Sequence, residues 1–238
     1  MKGFKTKKIF LIALLILFPV IFYSGWVNAN NINDKTIQIV SNPGEDFAGS
    51  VSRDEKALVY VSQKSGNLDL WLKKLEPAPP PDRQLTFHNS EDNSPAISPN
   101  GEWLAFISNR SDPKGDLYIL PLKFAAPIKG IDNAQRLTDG KTQDKNPTWS
   151  TDGKFIYYST KSSGSFETQI NKIDIETKIE TKVDKVQGLN PSVSHDGRYL
   201  AFVSKKRGVN PSIWVKDLKT NSLVQITKGT DIDVSPNW

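Results

Sequence analysis

The chain has 238 residues, with 31 Lys and Arg against 26 Asp and Glu and a pI near 9.2. Four of the lysines fall in the first eight residues and no acid lies before residue 30, so the remainder is nearly neutral, with 27 basic against 26 acidic side chains. That balance argues against a nucleic-acid binder, which needs a basic face, and zero cysteines exclude both disulfides and an acylated lipoprotein.

In chain order, residues 1–29 read as a targeting segment. Lys2, Lys5, Lys7 and Lys8 precede an apolar run, Ile9 to Phe22, and Val27-Asn28-Ala29 fits the small-residue rule for cleavage before Asn30. The alternative is an uncleaved anchor in the inner membrane, since the run extends to Trp26 and approaches the roughly 20 residues that span a bilayer. Both place the rest of the chain on the far side of a membrane. Residues 30–35 form a linker. Thr36-Ile37-Gln38-Ile39-Val40 then resembles Leu223-Val224-Gln225-Ile226-Thr227, and reads as the fourth strand of a blade whose other strands lie elsewhere.

From there the sequence repeats. Ser94 to Thr138 contains two apolar segments flanking Asn100-Gly101, a dipeptide suited to a two-residue hairpin turn. Asp116 to Leu122 and Gln135 to Thr138 follow as third and fourth strands, an antiparallel meander of the size of one propeller blade. Pro95 recurs as Pro147, Pro191 and Pro236, and Gly101 as Gly153 and Gly197. A weaker first copy runs from Gly49 to Thr86, where Glu55 replaces the turn glycine and predicts a different turn. Glu76 to Asp82 is a stiff proline-rich connector. Asp233 to Trp238 matches Asp144 to Trp149, the opening of a repeat, and this predicts a chain truncated within a further blade. No helical period follows residue 29. The expectation is an all-β propeller domain over 36–238, with four full four-stranded antiparallel repeats and a terminal strand at each end.

The pattern Asp, two residues, Pro, two residues, Ser-Pro-Asn-Gly, an aliphatic strand, Asp-Leu-Tyr-Ile and Arg-Leu-Thr resembles the repeat of the TolB-type β-propeller family. The likeness is best over Asp92 to Leu122, Asp144 to Tyr158 and Asn190 to Leu218. It implies a six-bladed propeller and a place in the periplasmic Tol–Pal system of the cell envelope. The α/β domain that precedes the propeller in that family has no counterpart in the few residues between Asn30 and the first strand.

Candidate functional residues are few. His88 and His195 are 107 positions apart in the sequence, and His195 takes a turn position, so neither reads as a ligand. No nucleophile elbow, His-Glu-x-x-His or phosphate loop is written in the chain, so no catalytic residue, metal ligand or cofactor is expected. The recurring acids Asp46, Asp92, Asp144 and Asp233 open successive innermost strands and predict a ring at one mouth of the channel; the fourth copy has Gly188 instead. One reading makes each carboxylate a pin that accepts backbone N–H bonds. The other makes the ring a negative rim for a basic segment or a cation. Trp71, Trp103, Trp149 and Trp214 read as packing between blades.

The function expected is a non-enzymatic, monomeric propeller that binds an envelope protein or peptide at its channel mouth, with no nucleic acid partner and no membrane insertion once the leader is removed. The alternative is the gating propeller of a prolyl-oligopeptidase-like serine peptidase whose catalytic domain is missing. N-terminal sequencing of the exported protein should begin at Asn30; an intact Met1 to Ala29 would establish the anchor instead.

Overall fold

The computed structural model of the chain describes residues 39–40, 46–75, 80–122, 133–205, 210–228 and 231–238. The period-two apolar runs of each repeat form strands, and consecutive strands pair antiparallel into four separate sheets. Blade 1 holds β1 (Asp46–Val51), β2 (Ala57–Ser62), β3 (Asp69–Lys74) and β4 (Arg83–Gln84). Blade 2 holds β5 (Asp92–Ile97), β6 (Trp103–Ser108), β7 (Asp116–Pro121) and β8 (Gln135–Arg136). Blade 3 holds β9 (Thr142–Trp149), β10 (Phe155–Ser162), β11 (Gln169–Asp174) and β12 (Glu180–Gln187). Blade 4 holds β13 (Leu189–Val193), β14 (Tyr199–Ser204), β15 (Ser212–Asp217) and β16 (Leu223–Gln225). The first strands β1, β5, β9 and β13 touch in succession and form the inner side of the array. The expected leader, Thr36 to Gln38 and most of the proline-rich connector lie outside the described residues. Ile39 and Val40 are irregular, so no strand forms over those two. Among the described residues no helix is long and apolar enough to cross a membrane.

Alternation along each second strand explains how the blades stack. On β6, Leu104 and Phe106 join a core with Val59, Val61, Leu70 and Leu72 of blade 1. Ala105 and Ile107, pointing the other way, join Trp149, Ile156, Tyr158 and Ile173 of blade 3. On β10, Tyr157 turns to Leu200, Phe202 and Trp214 of blade 4. A strand buried on both faces loses the usual polar alternation, which is why β2, β6, β10 and β14 read as nearly continuous apolar runs. Burying each Leu or Phe contributes about 1.5–3 kcal/mol. Trp149 and Trp214 sit in these cores and Trp103 packs at the margin of one; Trp71 instead lies beneath the ammonium of Lys64, 3.7 Å from its ring centroid.

The turns between first and second strands are wider than a two-residue hairpin. In each, the serine hydroxyl donates to an Asp or Asn two residues on: Ser52 to Asp54, Ser98 to Asn100, Ser150 to Asp152 and Ser194 to Asp196, at 2.6, 2.7, 2.6 and 2.5 Å. The same serine oxygen accepts the N–H that opens the second strand, from Ala57, Trp103, Phe155 and Tyr199. Only the glycine has positive φ (+71°, +70° and +74° at Gly101, Gly153 and Gly197), not Asn100. Glu55 adopts the same turn at φ +59°, contrary to the expectation of a different one. Its N–H bonds the Ser52 carbonyl at 2.8 Å, as that of Gly101 bonds Ser98 at 2.9 Å. The Ser–Asp side-chain frame imposes the turn there without glycine.

A second repeated device is a bulge in every innermost strand. Register shifts occur between Phe47 and Ser50, between Asn93 and Ala96, opposite Tyr157 and Ser159, and between Leu189 and Ser192. Ala48, Ser94, Asn146 and Asn190 hold positive φ at these points. The repeat proline follows in three of them, where its missing N–H is no loss to the ladder. Residues 231–238 carry the same features: Ser235 has φ +59°, and the Trp238 indole N–H donates to the Ser192 carbonyl at 2.9 Å. Trp149 does the same to Ala96 at 2.8 Å. The segment therefore lies against blade 4 as β9 lies against blade 2.

Gly197 is both left-handed and crowded. A Cβ there would stand 2.3 Å from the Thr151 hydroxyl of the neighbouring turn, whereas at Gly153 the nearest atom is 3.9 Å away. Gly153→Ala should destabilise by roughly 1 kcal/mol for its backbone conformation alone. Gly197→Ala should cost clearly more, and equal denaturation midpoints for the two variants would refute this account of the turn.

Candidate functional site

The acids that open the innermost strands share one end of the blades, opposite the Ser–Asp turns. The structure brings them to equivalent positions but into unequal surroundings. Asp92 and Asp144 are fully buried, whereas Asp46 and Asp233 are half-buried and reach solvent. Gly188 departs from the pattern for a steric reason: a Cβ there would lie 2.3 Å from the Val203 carbonyl.

Asp92 is held by Arg110, whose Nη2 donates to both carboxylate oxygens at 3.0 and 2.9 Å. The Arg110 Nε donates to Ser108 Oγ at 2.8 Å, and the guanidinium lies 5.5 and 5.0 Å from the Phe106 and Tyr118 ring centroids. Burial pushes the Asp92 carboxyl above its ordinary range, and the bonds from Ser108, Arg110 and Thr86 pull it back. Asp144 has no such partner. The hydroxyls of Thr142 and Thr160 donate to its Oδ1 at 2.7 and 2.8 Å, while Oδ2 is buried without a hydrogen bond. Burial pushes this carboxyl up, the threonines Thr138, Thr142 and Thr160 oppose that, and the nearby charge of Glu180 adds to it. Burial pushes the Lys64 ammonium below its ordinary range, and the charges of Asp82, 3.6 Å away, and of Asp46 oppose that.

These carboxylates accept from side chains, so the expected pinning by backbone N–H groups is replaced by something simpler. The backbone N–H of the acid itself is the donor: Asp92 to Leu68, Asp144 to Gly115 and Asp233 to Pro211, at 2.8, 3.1 and 3.1 Å. Gly188 makes the same bond to Thr168 at 2.8 Å.

Behind the acids lies a further hydrogen-bonded layer, buried in blades 1 and 2 and half-buried at Thr227. Thr86, Thr138 and Thr227 accept the N–H of Leu70, Leu117 and Ile213 at 3.0, 2.9 and 2.8 Å. Asp69 accepts from Ser65, Gln84 and Thr86, and Asp116 from Arg136 at 2.5 Å. Burial raises the Asp116 carboxyl against the pull of Arg136. Sequence reasoning missed Arg110 and Lys64, although both stand two residues past the serine that closes a second strand. His88 and His195 are exposed, and His88 accepts the Ser90 N–H at 3.1 Å. Among the described residues no three His, Cys, Asp or Glu side chains group as a metal site. At the turn end, a cleft of about 790 Å³ lies between blades 1 and 2, lined by Arg53, Asp54, Asn100, Trp103, Pro121 and Leu122. At the acid-bearing end, Asp46 and Asp233 are the half-buried members of the series.

A family model described as the TolB β-propeller domain matches residues 25–176, more than half of the chain. The Tol–Pal system protein TolB of Francisella tularensis is 36% identical over 84 residues, which are 34% of this chain and 19% of that protein. An uncharacterised protein of Agrobacterium fabrum is 28% identical over 211 residues, covering 87% of this chain and 67% of its own length. Among solved structures, TolB from Acinetobacter baumannii superposes with a TM-score of 0.67 at 18% identity, over 82% of this chain and 47% of that one. The chain thus matches about a fifth of the Francisella protein and about half of the Acinetobacter one.

Removing one partner of a buried ion pair leaves the other charge stranded. Arg110→Met should destabilise the protein by about 3–5 kcal/mol, and Asp92→Asn added to it should restore most of that loss. A double variant as unstable as Arg110→Met alone, in chemical denaturation, would show that the charge pair is not what holds blade 2.

Proposed function

Because the chain belongs to the TolB β-propeller family, we propose that it is an exported, non-enzymatic, monomeric propeller that holds an envelope protein or peptide at its acid-bearing mouth. Cleavage after Ala29 would release it into the periplasm, and the four described blades would be part of a six-bladed ring. The observation that carries this reading is the register of Asp46, Asp92, Asp144 and Asp233. Asp46, Asp92 and Asp144 stand at one end of three successive innermost strands, and Gly188 interrupts the series in blade 4. Asp233 stands at the matching point of the segment after blade 4, and the half-buried Asp46 and Asp233 offer negative charge to a basic segment. The Tol–Pal relative supports an envelope partner.

A rim charge acts mainly on the association rate. Asp46→Asn with Asp233→Asn should leave the melting temperature unchanged and slow capture of the envelope partner by roughly tenfold at low salt, with the difference shrinking as ionic strength rises. Equal capture rates for the double variant and the unmodified protein in a binding kinetics experiment would sink the proposal.

A further inference from the structure

The repeats serve as controls for one another. Two residues past the residue that faces the acid across the sheet (Ser62, Ser108 and Thr160) stand Lys64 in blade 1, Arg110 in blade 2 and Ser162 in blade 3. Arg110 binds Asp92 with two hydrogen bonds, and Lys64, paired with Asp82 at 3.6 Å, adds a positive charge felt by Asp46. Blade 3 keeps the acid and lacks the cation. Asp144 is fully buried, pairs with no lysine or arginine among the described residues, and leaves its Oδ2 without a hydrogen bond. Two more buried oxygens in the same blade are in that state, the Tyr158 hydroxyl and Asn171 Oδ1. Asp144 pairs with Thr160 across β9 and β10, and Tyr158 with Asn171 across β10 and β11. Thr160 and Tyr158 are two apart on one strand, so all four side chains share a face. A buried carboxylate with no counter-charge is strongly disfavoured, and so are unpaired buried oxygens.

We propose that blade 3 binds a hard divalent cation, calcium, with Asp144 as its charged anchor, in the position that the Arg110 guanidinium takes in blade 2. The donor set is all oxygen: the Asp144 carboxylate, the Thr142 and Thr160 hydroxyls on it, the Asn171 amide oxygen and the Tyr158 hydroxyl. Oxygen donors without nitrogen or sulfur select hard ions. Glu180, joined to the Asn171 amide by a hydrogen bond, supplies the second negative charge that a divalent ion balances. Calcium accepts the irregular geometry of side chains on three neighbouring strands, where magnesium demands a near-ideal octahedron. The inference does not rest on the partner-binding reading of the mouth, because it concerns a buried site inside one blade interface.

The test is thermal unfolding of chelator-treated protein with calcium chloride, magnesium chloride or sodium chloride at matched ionic strength. Calcium should raise the midpoint by several degrees and the other salts by less. Asp144→Asn should abolish the calcium shift and, in chelator, melt above the unmodified protein, since it removes an uncompensated buried charge. Ser162→Arg should copy blade 2 and melt at the same temperature with or without calcium. Terbium(III), used as a calcium probe, should show luminescence sensitised by Tyr158 that Asp144→Asn loses. A midpoint indifferent to calcium, an equal shift in Asp144→Asn, or a shift retained in folded Ser162→Arg would each overturn the site.

Discussion

One backbone hydrogen bond joins each blade to the next. The N–H of the acid, or of Gly188 in its place, donates to the carbonyl just before the third strand of the preceding blade, as in Asp144 to Gly115 and Gly188 to Thr168. It fixes where a blade begins relative to its neighbour, and the apolar faces then meet in register. Val59 and Val61 share a core with Leu104 and Phe106 where Asp92 is tied to Leu68. Since donor and acceptor are both main chain, the bond does not depend on the side chain at that position.

That independence releases the side chain for other uses, and the blades have used it differently. Blade 2 closes on an arginine that reaches in from the margin with only 11% of its side chain exposed. Blade 3 surrounds its acid with hydroxyl groups, and blade 4 has lost it where the backbone of Val203 comes too near for any Cβ. Each buried carboxylate sits between two apolar faces, where interactions are electrostatically stronger than in water and a missing partner costs more. The polar layer thus fixes the order and identity of blades, while the aliphatic cores supply most of the stability.

The four repeats and their strand order were legible in the spacing of Pro95, Pro147 and Pro191, because a propeller repeat must return the chain to the same point once per blade. The turn glycines were legible too, but the turn type was not. Asn100-Gly101 satisfies the rule for a two-residue hairpin, and the wider turn depends on Ser98, whose hydroxyl takes the N–H of Trp103 five residues on. Glu55 misled for the same reason: side-chain bonds from Ser52 and Asp54 held a conformation that residue type alone disfavours. The bulges left only a proline as their trace. The acids were visible as a series, yet their burial and partners were not. Arg110 lies 18 residues from Asp92 in sequence and meets it only once β5 and β6 have paired.

The docking of each indole onto the preceding blade has a consequence for how the chain folds. Ala96 meets Trp149 across 53 residues and Ser192 meets Trp238 across 46, so each such closure spans about one repeat, never the whole chain. The entropy of closing a loop grows only with the logarithm of its length, and these loops are all of one size. Assembly can therefore advance as a chain of similar, nearest-neighbour steps, each blade offering a finished face to the next. A lesion in one interface would then be felt locally, as a weakened link between two blades that are otherwise intact.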